Sequence, residues 1–330
     1  MKLLGLVIGA LVAVAASGPA LAQSKCELKQ FAALPLEFKN NRPLVEVAIN
    51  GVKAKMLIDT GANKSILFAP KLRAMGFAPT PGDVEFEGVG GIRKALEITL
   101  KTFDLGGSAA KNIHFFALES GGFGEAVGLL GEDLLVNSDV EFDLVGKQLR
   151  LFREKDCGGV NLGYWTKEPA VADMTADTDL FGILVKLNGV TMHAQIDSGS
   201  DVSVVTASAA GRVGVQPKRE EIEGVSGGIG SSKVAVSTVT FATLAVGDEE
   251  IKNAKLLVGD FFRAARQTSL GSSIATSSQD ETEMLIGADF LRSHRVMIAK
   301  GQKLVYFTYQ GGPVFQVVAP VDKPEAAATK

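Results

Sequence analysis

Helix-favouring runs of Glu, Lys and Leu are scarce in this sequence, and so are clusters of positive charge. With a formal net charge of -3 and no long Lys/Arg stripe, the chain lacks the footprint that phosphate binding needs, which excludes nucleic acid as the main partner. Beyond the N-terminus, no apolar stretch is long enough to span a bilayer. There are three histidines, His114, His193 and His294. They are scattered, without metal-ligand spacing and without a Ser or Cys nucleophile signature beside them, so each is read as structural or exposed. No metal and no cofactor is expected.

What is present points to β structure. Hydrophobic residues make up 46% and charged residues 22%, a globular composition. Val, Ile, Thr and Phe recur, and the 37 glycines favour many short strands joined by tight turns. A length of 330 residues allows two domains of ordinary size.

The first residues resemble an export signal. Lys2 supplies a positive start, residues 3–16 are apolar, and Ala20-Leu21-Ala22 offers an A-x-A cleavage site. Residues 1–22 are therefore expected to be a signal peptide, the alternative being a buried N-terminal helix. The mature chain would then be exported, periplasmic or secreted, with no stable membrane anchor after signal cleavage. In an oxidising compartment Cys26 and Cys157, the only two cysteines, could form a disulfide closing a long loop. Two unrelated thiols are the alternative.

The sequence also repeats itself. Val47-Ala48-Ile49-Asn50-Gly51-Val52 precedes Ile58-Asp59-Thr60-Gly61-Ala62, and Val185-Lys186-Leu187-Asn188-Gly189-Val190 precedes Ile196-Asp197-Ser198-Gly199-Ser200. The offset is 138 in both (189 − 51 and 197 − 59). Asn-Gly between β-prone residues signals a hairpin with a type I′ turn, so each copy is predicted to run from a hairpin into an Asp-hydroxyl-Gly turn. Leu129-Leu130-Gly131-Glu132-Asp133 matches Leu285-Ile286-Gly287-Ala288-Asp289, and Gly146-Lys147-Gln148-Leu149 resembles Gly301-Gln302-Lys303-Leu304. The second copy carries an insertion, placed in the Ser/Thr/Ala-rich stretch 263–283, which reads as a loop. The expected organisation is an N-terminal lobe at 23–157, a linker at 158–179, a C-terminal lobe at 180–310 and a flexible tail at 311–330. Tyr164 and Trp165 in the linker are candidates for docking the lobes.

An isolated Asp-Thr-Gly is an ordinary turn. Two such triplets, each ending an apolar strand in matched repeats, are more informative. Asp59-Thr60-Gly61-Ala62-Asn63 and Asp197-Ser198-Gly199-Ser200-Asp201 resemble the active-site turns of retropepsin-like aspartic proteases, and Leu130-Gly131 and Ile286-Gly287 resemble that family's second signature. The resemblance implies an all-β fold of two similar barrel lobes with a cleft between them, arranged as a pepsin-like pseudo-dimer. It implies an endopeptidase acting on an extended polypeptide, with Asp59 and Asp197 as the catalytic pair, in a chain that works as a monomer. Gly61 and Gly199 would allow the two turns to approach, and the Thr60 and Ser198 hydroxyls would bond across the lobe interface. The Ser200 hydroxyl would stabilise a nearby carboxylate where Ala62 cannot, making the pair asymmetric. Gly88-Val89-Gly90-Gly91 and Gly224-Val225-Ser226-Gly227-Gly228 would be flap tips. Asp133 and Asp289 would cap or brace short helices. Two other readings stay open: lobes that pair between chains, and a peptide-binding protein of the same fold without useful catalysis.

Overall fold

The computed structural model describes residues 26–39, 41–88, 91–119, 123–135, 137–175, 181–216, 222–226, 234–259 and 282–315. The expected signal peptide, nearly all of the 263–283 loop and the tail beyond residue 315 lie outside the described residues, as do Val89, Gly90, Gly227 and Gly228 of the flap tips.

The two copies fold in the same order. The first has strands β1 (Glu27–Lys39), β2 (Arg42–Ile49), β3 (Val52–Ile58), β4 (Ile66–Phe68), β5 (Thr80–Gly88), β6 (Gly91–Leu105), β7 (Ser108–Leu118), β8 (Gly128–Leu130), β9 (Asp139–Asp143) and β10 (Gln148–Lys155). Helix α1 (Ala69–Ala74) follows β4, and α2 (Glu132–Leu135) follows β8. The second has β11 (Ala170–Asp173), β12 (Gly182–Leu187), β13 (Val190–Ile196), β14 (Val204–Val205), β15 (Ile222–Ser226), β16 (Val234–Val246), β17 (Glu249–Gly259), β18 (Met284–Ile286), β19 (His294–Ala299) and β20 (Leu304–Tyr309). Helices α3 (Ala207–Arg212) and α4 (Ala288–Leu291) follow β14 and β18.

The Asn-Gly signals act as predicted. Asn50 and Gly51 have φ of 50° and 82°, Asn188 and Gly189 of 46° and 81°, the positive values a type I′ turn requires. Each Asn side chain also accepts a backbone N–H from a neighbouring strand, Thr102 at 2.9 Å and Thr243 at 3.1 Å.

Within each copy a short strand slides between the hairpin and the strand that follows the Asp turn. β8 runs parallel to β3 and antiparallel to β4; β18 does the same between β13 and β14. β4 and β14 then run parallel to β7 and β17. These central strands are buried throughout, and their runs Ile66-Leu67-Phe68 and Met284-Leu285-Ile286 are apolar, as strands covered on both faces require.

The copies join through a shared sheet with strand order β1-β10-β9-β19-β20-β11. Gly146 matches Gly301, so residues 140–143 correspond to 295–298. The antiparallel pairs are Val140 with Ile298, Glu141 with Met297, Phe142 with Val296 and Asp143 with Arg295. Exchanging the copies maps this set of pairs onto itself, so the strands cross at a pseudo-two-fold axis. Period-2 alternation then serves two faces. Val140, Phe142, Val296 and Ile298 enter a core built from both copies, while Met297 and Ala299 face Cys157, Leu162 and Trp165.

The stretch expected to be a linker therefore has structure of its own. It covers the outer face of the shared sheet and supplies its edge strand β11, paired with β20. Tyr164 Oη donates to the buried Glu141 at 2.6 Å, and Arg150 and Arg295 bond the same carboxylate. Trp165 Nε1 donates to Thr308 Oγ1 at 3.1 Å. Both aromatic residues thus bind strands of the shared sheet. Cys26 and Cys157 form a disulfide that ties the start of β1 to the end of β10. The tail departs from its expectation at its first residues: Phe315 is buried and stacks at 6.1 Å on Phe290, so apolar contact holds 311–315 against the second lobe.

Candidate active site

Asp59 follows β3 and Asp197 follows β13. Their backbone N–H groups bond Leu130 and Ile286 of the inserted strands, both at 2.9 Å. Each turn is closed by its own carboxylate: Asp59 Oδ1 accepts the Gly61 N–H at 3.0 Å, and Asp197 Oδ1 accepts the Gly199 N–H at 2.9 Å.

The two turns meet face to face, and the glycines explain how. A Cβ on Gly61 would lie 2.5 Å from Cγ of Asp197, and one on Gly199 would lie 2.4 Å from Cγ of Asp59. Any side chain there would displace the opposite carboxyl group. With glycine, each turn lies directly against the carboxyl group of the other.

Beneath them the hydroxyls cross as expected. Thr60 Oγ1 donates to the carbonyl of Ile196 at 2.7 Å, and Ser198 Oγ donates to that of Ile58 at 2.8 Å. Each hydroxyl also accepts the opposite backbone N–H, from Ser198 at 2.9 Å and from Thr60 at 3.2 Å. Both residues are fully buried, so these polar groups have no water to fall back on.

A second pair of braces lies one layer lower. Asp133 Oδ1 accepts the Ser65 N–H at 2.9 Å and the Ser65 hydroxyl at 2.6 Å, and Ser65 Oγ accepts the Gly131 N–H at 2.9 Å. In the second copy Asp289 takes the Ser203 N–H at 2.9 Å and its hydroxyl at 2.6 Å, and Ser203 Oγ accepts the Gly287 N–H at 2.9 Å. The two Asp side chains therefore tie the chain after each turn to the start of the short helix. Ser65 and Ser203 escaped the sequence reading although they stand 138 residues apart, the offset of the turns.

One expectation is corrected. The Ser200 hydroxyl donates to the carbonyl of Val202 at 2.7 Å and does not reach the carboxylate; the Ser200 backbone N–H does, at 3.0 Å from Asp197 Oδ1. The Ala62 N–H bonds the Asp59 carbonyl at 3.3 Å, whereas the Ser200 N–H is shared between the Asp197 carbonyl at 3.2 Å and Asp197 Oδ1. The asymmetry is thus real but comes from the backbone: two N–H donors hold Asp197 and one holds Asp59.

Burial and the adjoining Asp197 push Asp59 well above the usual carboxylate range. Burial also raises Asp197, opposed by the Ser200 and Gly199 N–H groups, a bond from Asp59 and the charge of Arg42. Arg42 was missed from the sequence. It enters from β2 with Nε on the Gly199 carbonyl at 2.7 Å and an Nη on Asp201 at 3.2 Å, its guanidinium lying 5.0 Å from the Phe123 ring centroid.

Of the other candidates, Gly88 and Gly91 close the β5–β6 hairpin, and Gly224, Val225 and Ser226 belong to β15. His114 is exposed beside Glu97 on β6, His193 lies on β13, and His294 is buried against Phe290 with Nε2 on Glu249.

Comparison with known proteins gives the same pattern. The family described as "gag-polyprotein putative aspartyl protease" matches residues 45–137, and the aspartyl protease family matches 183–290. Among solved structures, an aspartic proteinase from Irpex lacteus is similar with a TM-score of 0.53 at 13% identity, over 87% of this chain and 99% of that one. A retropepsin-like aspartic protease from Rickettsia conorii is 24% identical over 39% of this chain and 94% of its own, with a TM-score of 0.29. No curated protein sequence matches significantly.

Proposed function

The chain belongs to the retropepsin-like aspartic protease family, and from that premise we propose that it is an endopeptidase working with one catalytic pair, Asp59 and Asp197. The observation that carries this reading is the meeting of the two turns, each with its glycine directly against the carboxyl group of the other. Two such groups cannot both ionise readily, so they hold one proton between them. Asp197, with two backbone donors, is the ionised partner, and Asp59 keeps the proton. A water between the pair and an extended peptide then loses a proton to Asp197 as its oxygen attacks the scissile carbonyl carbon. Asp59 gives its proton to the carbonyl oxygen, forming a neutral tetrahedral diol. Return of a proton from that diol to Asp59, and transfer of the Asp197 proton to the amide nitrogen, breaks the C–N bond and restores the starting state.

The pseudo-two-fold sheet favours pairing of the lobes within one chain, hence a working monomer. The disulfide is compatible with an exported protein. No helix among the described residues is long and apolar enough to cross a membrane. The test is cleavage of an unstructured protein from pH 3 to 8 by the disulfide-intact chain. Cleavage that a single Asp59→Asn substitution abolishes supports the reading. A folded chain that captures peptides but cuts none at any pH would instead be a binding protein.

A further inference from the structure

The two lobes do not grip each other equally. Gly131 matches Gly287 and Gly146 matches Gly301, so Glu132 corresponds to Ala288 and Lys300 to Val145. Lys300, in the turn between β19 and β20, reaches into the first lobe and donates from Nζ to Glu132 Oε1 at the start of α2. The matched residues, Ala288 and Val145, have no charge with which to do the same, and Val145 lies exposed. The repeat thus carries this cross-lobe ion pair on one side of its axis.

We propose that Lys300 and Glu132 are positioning residues: Lys300 of the second lobe holds α2 through Glu132, and α2 holds the Asp59 turn through the Ala62 carbonyl. This rests on the catalytic pair proposed above. Each link is a contact. The Glu132 N–H bonds the Ala62 carbonyl at 2.8 Å, and the Ala62 N–H bonds the Asp59 carbonyl at 3.3 Å. Packing leaves that junction no slack: a Cβ on Gly131, the residue before Glu132, would lie 2.7 Å from the Ala62 oxygen. Lys300 Nζ also lies 5.0 Å from the ring centroid of the buried Phe181. The Phe181 carbonyl accepts the N–H of Ile196, the residue before Asp197, at 2.9 Å. One side chain therefore touches supports of both turns.

The Glu132 side chain is 5% exposed and that of Lys300 25%, so the two charges meet largely out of water, where each depends on the other. The turn that carries Lys300 is itself fixed from the end of the first lobe. Gln302 Nε2 donates to the carbonyls of Cys157 and Val160, and Tyr306 Oη donates to that of Val160 at 3.4 Å. Lys300 therefore reaches out from an anchored backbone, and its hold is passed to α2 rather than absorbed by movement of the turn.

Lys300→Met keeps an apolar stem against Phe181 and removes the cation. The Glu132 N–H then exchanges with solvent about ten-fold faster, as weakening of one hydrogen bond implies. The Ala288 N–H, on the Ser200 carbonyl at 2.8 Å, keeps its rate because no side chain latches that residue. With the Asp59 turn displaced, kcat falls by roughly ten-fold while KM is unchanged. Lys300→Arg keeps the charge and restores both readouts. The double variant Glu132→Gln, Lys300→Met removes both charges together, which recovers stability but not the link, so its exchange and kcat stay those of Lys300→Met.

The experiment is residue-resolved amide hydrogen exchange by NMR on the disulfide-intact chain and these three variants, beside peptide kinetics. Faster exchange at Glu132 but not at Ala288, with a matching fall in kcat and rescue in Lys300→Arg, supports the proposal. An unchanged Glu132 rate in folded Lys300→Met overturns it. So does an equal rise at Ala288, which marks general loosening, or a parent kcat where Glu132 exchanges fast. Exchange needs no turnover, so a parent chain that cuts nothing refutes the proposed protease while still deciding whether Lys300 holds the first turn. If Lys300→Met does not fold, the double variant carries the test, and an unchanged Glu132 rate there overturns the proposal.

Discussion

The two active-site turns share a frame and differ in what they do to their carboxylates. Both have the crossing hydroxyls, the glycine that admits the opposite carboxyl, and the Ser–Asp brace below. Only the second directs an extra N–H at its Asp and receives an arginine from the other lobe. Duplication thus supplies the geometry that brings two like acids together, and in the proposed mechanism small local departures assign one the part of acid and the other that of base. A strictly symmetric pair would have nothing to choose between them.

The largest effect should come from removing either member. Asp59→Asn and Asp197→Asn should each cut kcat by about 1000-fold or more, as loss of a general acid or base does, measured against a peptide substrate. Equal losses sharpen the account of two roles in one machine; a surviving single variant breaks it. Next come the glycines. Gly61→Ala and Gly199→Ala should each cost roughly 100-fold in kcat, because the new methyl takes the space of the opposite carboxyl, while the circular dichroism stays that of the parent.

The crossing hydroxyls should show in stability. Ser198→Ala leaves the Ile58 carbonyl and the Thr60 N–H without their bond, and Thr60→Val does the same to Ile196 and Ser198. Each should destabilise by about 1–3 kcal/mol in denaturant unfolding. Similar values would show that the frame is symmetric where the chemistry is not.

The Asp289 brace adds a pH signature. Burial raises its carboxyl from 3.8 to about 6, above the unfolded value. Its contribution to stability is therefore fully present below the unfolded value and is lost as pH rises through about 6. Asp139, at about 6 through burial and the nearby Glu154, adds in the same direction. Thermal melts of Asp289→Asn should show a weaker fall in relative stability between pH 4 and 7 than the parent. The smallest effect is that of Ser200→Ala: its hydroxyl serves the Val202 carbonyl, so the edges of the pH profile should stay in place. A shift there would move the source of asymmetry from backbone to side chain.

Much of the frame could be read from the chain. The Asn-Gly hairpins, the Asp turns and the Leu/Ile-Gly segments are local patterns, each repeated, and each lies where the repeat implied. The pairing of β1 with β10 and β11 with β20 escaped, because residues 27–35 and 170–173 share no pattern that marks them as partners. Strand partners distant in sequence are fixed by register and by which face is covered, and neither is written locally. Arg42 escaped for the same reason, since its partners are 157 and 159 residues away. The direction of the Ser200 hydroxyl could not be read either, because a side-chain rotamer and not the residue type aims it at the Val202 carbonyl. Apolar docking of Phe315 ran against the Gly- and Pro-rich composition around it.

The central claim is that one chain supplies both halves of one catalytic pair. Peptide cleavage by the parent, by Asp59→Asn, by Asp197→Asn and by an equimolar mixture of the two variants tests it most directly. The account predicts an active parent and no cleavage by either variant or by their mixture. Recovery of activity on mixing would contradict it, since only lobes exchanged between chains could reunite an intact Asp59 with an intact Asp197.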